Sequence, residues 1–461
     1  MENFDIAVIG AGPGGYPAAI RAAQLGASVA LVEKEQLGGT CLNWGCIPTK
    51  SLIATANLFA QVTHAQALGI TVTGAAVDYA AMIRHKDKVV GQLRNGIKQL
   101  LAANGVKVFS GGAWFKDRGT LGIGESGAIG ARKVIIATGS ISAMPGFLPK
   151  HERVIESRRF LELERLPRTL LVLGGGFIGC ELACMAAMLG AKVTVVELLE
   201  DILLLLDADV RREVRAAMEK GLGIRILTGK ALERIEADAN AARGSCGGEV
   251  LEAEFLLSAV GRKPVTEGLQ LAHAGLAANQ QGFIETDECC RTPVATIYAV
   301  GDVTGKTQLA HYATAQGTTA AENALGLKPR PHQNLVPNVI FTSPEIGTVG
   351  LSEEDAKKQN RPVKTGKFRF AGLGRAVAVG ETTGFVKWIA DAATDQLLGA
   401  AAVGPHATEL VAQAALAIRA ELTTRELGRT IHAHPTFGEA WMEAAHALHG
   451  HALHAAPARR K

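Results

Sequence analysis

Two cysteines set close together are the first residues of this 461-residue chain that could do chemistry. Cys41 and Cys46 stand in Gly38-Gly39-Thr40-Cys41-Leu42-Asn43-Trp44-Gly45-Cys46-Ile47-Pro48-Thr49-Lys50. Thiols at this range can carry two electrons by thiol–disulfide exchange. Five residues of ideal helix rise about 7.5 Å, more than the ~7 Å between Cα atoms that a disulfide tolerates. A bonded pair therefore excludes a continuous helix through the segment. Gly45 supplies backbone freedom for a break, and Pro48 suits the first turn of a helix that follows. A thiol at that helix N-terminus would be more acidic than a free one. The pair alone leaves a second reading open, two buried free cysteines.

The surrounding elements narrow that choice, because the pair follows directly on a nucleotide-binding pattern. An apolar strand, Ile6-Ala7-Val8-Ile9, enters Gly10-Ala11-Gly12-Pro13-Gly14-Gly15; a helix follows, Gly26 ends it, and the next strand delivers Glu33. The pattern recurs as Leu170-Leu171-Val172-Leu173, then Gly174-Gly175-Gly176-Phe177-Ile178-Gly179, a helix closed by Gly190, and a strand ending in Glu197. The acid lies 23 residues after the first glycine in both copies. Of the three glycines in each copy (Gly10, Gly12, Gly15 and Gly174, Gly176, Gly179), the first permits a tight turn. The second admits a pyrophosphate, and the third lets helix and strand pack closely. The helix N-terminus offers N–H groups and a positive dipole end to the anion. The terminal acid is placed to accept hydrogen bonds from ribose hydroxyls. Strand, helix and spaced acid make each copy a specific signal, and two copies imply two dinucleotides, FAD and NAD(P). Glu197, with Glu200 and Asp201 behind it and no Arg nearby in sequence, disfavours a 2′-phosphate, so NAD is expected over NADP.

Composition agrees with an enzyme of several domains. Apolar residues make up 48% and charged residues 20%, and the formal charge of +4 gives no nucleic-acid footprint. The cluster Arg459-Arg460-Lys461 reads as a solvated tail. Apolar runs are too short to span a membrane. The first strand begins too early for a signal peptide, so a cytoplasmic location is expected, with no lipoyl domain fused ahead of it. Seven cysteines, an odd number, argue against a disulfide framework and leave a cysteine pair to catalysis.

GGTCLNWGCIPTK resembles the redox-disulfide signature of the pyridine nucleotide–disulfide oxidoreductases, most of all that of the dihydrolipoamide dehydrogenases. The resemblance covers nearly the whole chain. It extends to Ala137-Thr138-Gly139, to Ala299-Val300-Gly301-Asp302, to Leu309-Ala310-His311, to Pro337–Gly350, and to His432-Ala433-His434-Pro435-Thr436-Phe437-Gly438-Glu439. It implies a Cys41–Cys46 redox disulfide, with Cys41 exchanging with dihydrolipoamide and Cys46 against the flavin. It makes His434 the general acid–base, supplied by the partner subunit of a homodimer, and Glu439 the residue that orients it. His432 is the rival within the motif. Lys50 falls beside the flavin and Glu181 where its ion-pair partner sits. Phe177 falls at a gate over the nicotinamide site, with core packing as the plainer reading. Flavin contacts are implied at Gly39, Thr40, Ala113, Thr138, Gly139, Asp302 and Ala310, and a nucleotide contact at Gly261. The expected route runs from dihydrolipoamide on lipoyl domains of a multienzyme complex, through the cysteine pair and FAD, to NAD⁺. The alternatives are an NADH-dependent reductase of another disulfide or of mercuric ion, and a non-catalytic flavoprotein.

The implied architecture is α/β, with two Rossmann-like domains and a C-terminal α+β dimerisation domain. Expected bounds are 1–145 for the FAD domain, 146–263 for the NAD domain, 264–333 for a segment returning to the flavin, and 334–461 for the interface domain. Gly438 departs from the family, which has a polar residue there. Cys289 and Cys290, expected in the strand before Ala299, read as packed structural thiols. The tail from His446 to His454 repeats HALH; its spacing fits no defined metal site, no metal is expected, and a fraying tail is the favoured reading.

Overall fold

The computed structural model describes residues 1–125, 127–327, 331 and 334–456, so Arg459-Arg460-Lys461 lies outside the described residues. The first apolar run is buried on β1 (Glu2–Ile9). Helix α1 (Gly15–Gln24) buries Ala18, Ala19 and Ala22, and Gly26 leaves it at φ +89°. Small residues there let the helix lie close to the strands. Then come β2 (Val29–Glu33), α2 (Gly39–Trp44), α3 (Cys46–His64) and α4 (Tyr79–Ala103), the last capped by Asp78 accepting the Ala81 N–H. Strands β3 (Lys107–Ser110), β4 (Ala113–Phe115), β5 (Thr120–Ile123) and β6 (Gly127–Ile136) complete a sheet ordered β3-β2-β1-β6-β5-β4. Strands β3, β2, β1 and β6 run parallel, and a late strand at Ile297–Ala299 adds to β6.

After β7 (Ser140–Ser142) the chain builds the second copy: β8 (Val154–Glu156), α5 (Ser157–Leu161), β9 (Thr169–Leu173), α6 (Phe177–Met188), β10 (Lys192–Glu197), α7 (Ala208–Ala216) and β11 (Arg225–Thr228). An antiparallel meander, β12 (Glu233–Ala237), β13 (Ala242–Cys246) and β14 (Glu249–Ala253), precedes β15 (Phe255–Ser258). The parallel sheet is ordered β11-β10-β9-β15-β8. Strand β16 (Arg262–Pro264) turns back to pair antiparallel with β7. Helix α6 is apolar on every side except at Glu181, as a helix buried on several sides must be. Its Cys180, Leu182, Ala183 and Met185 share one core with Leu52, Ile53 and Ala56 of α3.

The chain returns to the first sheet as β17 (Ile297–Ala299), followed by α8 (Ala310–Ala324) packed on α1. The helices meet closely where a Cβ on Gly317 would stand 2.2 Å from the Gly14 carbonyl. The last unit comprises β18 (Asn338–Ile340), β19 (Ile346–Gly350), α9 (Glu353–Lys358), β20 (Val363–Arg369), α10 (Gly374–Val379), β21 (Phe385–Asp391), β22 (Leu397–Val403), α11 (Ala407–Arg419), α12 (Thr424–Arg429) and α13 (Glu439–Leu448). Its antiparallel sheet is ordered β18-β19-β22-β21-β20. Its core is centred on Trp388 and Trp441, whose rings lie 4.5 Å apart while the Trp388 Nε1–H donates to the Trp441 carbonyl. Among the described residues no helix is long and apolar enough to cross a membrane.

Two expectations need correction. Cys289 and Cys290 lie in a turn rather than a strand, with Cys290 buried at φ +63°. The histidine tail does not fray: α13 runs through Leu448, and His449 Nε2 lies 2.8 Å from the Thr424 hydroxyl. Its anchors are polar groups on other elements, which the repeat itself does not reveal.

Candidate active site

Each Gly-rich turn is built from the same three constraints. Gly10 and Gly174 take φ of +97° and +109°, and a Cβ on either would lie 2.5 Å from a carbonyl just past a strand end, that of Ala137 or Ala259. A Cβ on Gly15 or Gly179 would stand 1.8 or 2.1 Å from the carbonyl of the first glycine, so only glycine lets the helix start there. The middle glycines differ. Gly12 has a single neighbour, at 3.9 Å, and Gly176 has none within 4 Å. Nothing in the protein requires a glycine at either point, and the open face suits a pyrophosphate passing close to the backbone. The two cradles therefore fit the two dinucleotides.

The acids hold the turns as well. Glu33 accepts the Ala11 N–H at 2.7 Å, and Glu197 accepts the Gly175 N–H at 2.6 Å. Gly139 and Gly261 occupy matching places beyond β6 and β15, both at positive φ with nothing within 4 Å. An arginine from further along the chain does come near the Glu197 end of the sheet. Arg215, folded in from α7, lies 3.4 Å from Thr228, the residue in register with Glu197. Asp201 at 3.0 Å and Glu219 at 3.2 Å already hold its guanidinium.

The remaining candidates lie on the first sheet and on the segments packed around it. A Cβ on Gly39 would press on the Gly12 Cα at 2.7 Å, and Thr40 is the next residue of α2. Ala113 opens β4, and Ala310 is the first residue of α8. Thr138 donates to the Val265 carbonyl at 2.6 Å. Asp302 accepts the Ser140 hydroxyl, and Arg262 reaches the same hydroxyl at 2.7 Å. Ser140 and Arg262 carry no motif and escaped the sequence reading.

Gly45 breaks the cysteine segment as its spacing requires. Helix α2 ends at Trp44, Gly45 sits at φ −138° and ψ −110°, and Cys46 begins α3. Asn43 braces the segment from inside. It donates to the Leu37 and Gly39 carbonyls and accepts from Arg94. Arg158 stacks 3.8 Å above the Trp44 ring. Both cysteines are free, Cys46 the more exposed, and their mutual interaction divides their acidities. It pushes Cys41 upward, helped by burial. It lowers Cys46 to about 7, with the Lys50 charge helping.

Lys50 Nζ meets Glu181 at 2.9 and 2.7 Å. The Glu181 side chain is only 8% exposed and also accepts the Phe341 N–H at 2.8 Å. The Phe341 ring lies 4.7 Å from the ammonium. Phe341 belongs to the last unit and was missed, since nothing in its spacing points at Lys50. Phe177 opens α6, half-buried against the same core.

His434 Nδ1 lies 2.8 Å from Glu439 Oε1, while Glu439 Oε2 accepts the Thr436 N–H. Its side chain is 76% exposed, and its Nε2 has no partner among the described residues. His432 has both nitrogens engaged, Nε2 by Gln413 and Nδ1 by the Thr430 carbonyl. Within one chain, among the described residues, His434 bonds Glu439 and neither thiol.

Comparison with known proteins agrees with this geometry. Residues 4–317 match the pyridine nucleotide-disulphide oxidoreductase family and residues 336–445 its dimerisation domain. The chain belongs to that family. It is an oxidoreductase acting on sulfur groups, a homodimer, with FAD and NAD as cofactors. It is 43% identical to the dihydrolipoyl dehydrogenase of Chlamydia muridarum over 100% of both chains. It is 42% identical to that of Thermus scotoductus over 98% of this chain and 99% of the other. A solved structure of the HOCl-induced flavoprotein disulfide reductase RclA from Escherichia coli superimposes with a TM-score of 0.88 at 30% identity, covering 96% of this chain and 99% of that one.

Proposed function

We propose that this protein is a dihydrolipoyl dehydrogenase, oxidising dihydrolipoamide on lipoyl domains and reducing NAD⁺ in the cytoplasm. The observation that carries the reading is the thiol pair across Gly45, Cys41 on α2 and Cys46 at the start of α3, with the Lys50–Glu181 ion pair one turn further along α3. In the oxidised enzyme a substrate thiolate attacks Cys41. A new S–S bond forms there, the Cys41–Cys46 bond breaks, and Cys46 leaves as the thiolate, the better leaving group because its pKa is lower. The second substrate sulfur then attacks the mixed disulfide and frees Cys41. Of the two substrate protons, one ends on Cys41, whose raised pKa holds it. The other goes to His434 of the partner subunit, with Glu439 fixing the tautomer that leaves Nε2 free. FAD bound in the first cradle would supply the two-electron relay from the Cys46 thiolate to the nicotinamide. Lys50 and Glu181 hold the flavin side of the pair, with Gly10, Gly12, Gly15, Glu33, Gly39, Thr40, Ala113, Thr138, Gly139, Asp302 and Ala310 around it. Gly174, Gly176, Phe177, Gly179, Glu197 and Gly261 hold NAD.

A cavity of about 460 Å³ between α3 and α4 starts at Ile47 and Lys50 and runs past Leu58, Val89 and Leu93. Its Leu58, Val89 and Leu93 side suits an aliphatic arm, and its Ile47 end adjoins Cys46. The proposed domains are 1–145, 146–263, 264–333 and 334–461. The test is steady-state NAD⁺ reduction by dihydrolipoamide, with NADP⁺ in parallel. Brisk NADH formation is expected, abolished in Cys46→Ser and reduced about 10²- to 10⁴-fold in His434→Gln. Full activity in Cys46→Ser would falsify the reading.

A further inference from the structure

Helix α13 carries two carboxylate–imidazole pairs one turn apart. Glu439 opens the helix and binds His434 at 2.8 Å. Glu443, four residues on and so on the same face, binds His454 Nδ1 at 2.8 Å. Glu443 is the better buried, its side chain only 2% exposed. Its second oxygen accepts the Leu453 and His454 N–H groups at 3.0 and 3.2 Å. A buried carboxylate is costly unless hydrogen-bonded, and among the described residues every bond to it comes from the folded-back tail. The tail packs against the sheet unit too: a Cβ on Gly372 would lie 3.1 Å from the His454 carbonyl.

The charged groups acting on Glu439 are His434 and, more weakly, His454. Burial raises the Glu439 carboxyl, but the Thr436 N–H and these two imidazoles outweigh it and hold it below the ordinary range. Like charges at i and i+4 repel, so Glu439 and Glu443 each need their imidazole to coexist on one face.

We propose that His454 is a positioning residue of the thiol-oxidising reaction, docking the C-terminal tail on Glu443 so that α13 presents Glu439 to His434. This rests on the reading of His434 and Glu439 as the acid–base pair. The HALH repeat thereby gains a role the metal reading does not supply: His449 binds the Thr424 hydroxyl and the Asp395 carboxylate, and His454 binds Glu443. Among the described residues the one candidate metal cluster is Asp207, Asp209 and Glu353, which contains no histidine.

The test compares His454→Ala, His454→Gln and His434→Gln as full-length FAD-loaded dimers. Two reactions are followed across pH: dihydrolipoamide oxidation, and NADH oxidation by ferricyanide, which needs no thiol proton transfer. In His454→Ala the kcat of dihydrolipoamide oxidation should fall at least about threefold. The limb of its pH profile lost in His434→Gln should move, and the ferricyanide rate should stay unchanged. His454→Gln, which can still donate to Glu443, should restore most of the kcat. An unaltered profile in His454→Ala overturns the proposal. So does an equal loss in both reactions with a lower melting temperature, since the tail would then serve stability alone. If His434→Gln itself keeps full dihydrolipoamide activity, the reading of the acid–base pair fails instead.

Discussion

Cys41 and Cys46 differ in acidity, and that difference gives the pair its direction. With a pKa of about 7, Cys46 is partly thiolate at neutral pH, while Cys41 keeps its proton. The sign follows: as pH falls through about 7, Cys46 protonates and the reduced pair loses its thiolate. Titration of the reduced enzyme by thiolate absorbance should show one group with a midpoint near 7, absent in Cys46→Ser. In Lys50→Met that midpoint should rise toward the ~8.5 of a free thiol, since the ammonium is one of the groups lowering it. Glu181 belongs to the same scale. It pairs with a lysine 29% exposed and is itself nearly enclosed, so removing it strands a partly desolvated ammonium. Glu181→Ala should lower stability by about 3 kcal/mol, read from denaturant unfolding of the flavin-loaded protein.

At the scale of elements, two strand–turn–helix units do the same work by the same means. Each spends one glycine on its turn and one on helix contact, and leaves the middle one facing open space. The three positions therefore answer differently to a methyl group. Gly179→Ala places a Cβ 2.1 Å from a carbonyl, so α6 must shift and the KM for NAD⁺ should rise tenfold or more while flavin content stays full. Gly176→Ala meets no protein atom within 4 Å, so it should weaken NAD⁺ as much while leaving the melting temperature unchanged. Gly15→Ala, with a Cβ 1.8 Å from a carbonyl, should yield protein without bound flavin, seen in the visible spectrum.

The molecule as a whole is tied together by a buried charge. Lys387, on β21 of the last unit, is 1% exposed and contacts Asp207 and Asp209 at 2.8 Å and Glu353 at 2.7 Å. Asp207 and Asp209 belong to the start of α7, beyond the second cradle, so this ammonium clamps the NAD-side sheet to the last unit. Burial raises the Asp209 carboxyl, but Lys367 and Lys387 bind it and leave its pKa below the ordinary range. Its contribution is therefore present at neutral pH and lost as pH falls through the depressed value. Lys387→Met would leave three carboxylates facing one another and should cost about 3–5 kcal/mol. Denaturant unfolding would show the loss, and light scattering would test whether the homodimer persists.

Much of this protein is local and therefore readable in its residues. A glycine triplet after an apolar strand, an acid 23 residues on, and two cysteines on either side of Gly45 are short-range patterns. Each constrains the backbone where it occurs, so each marks its own turn or helix start. Likeness to a family assigned roles to Lys50, Glu181, His434 and Glu439 that spacing alone could not. Only the tertiary structure placed the Phe341 N–H on Glu181, Ser140 and Arg262 beside Asp302, Arg215 near the Glu197 strand end, and His454 on Glu443. Those groups come from separate strands, helices and turns, and a hydrogen bond across such a distance leaves no period in the sequence. Which polar side chains meet is decided by how sheets and helices stack, because burial makes an unpaired charge too costly to keep.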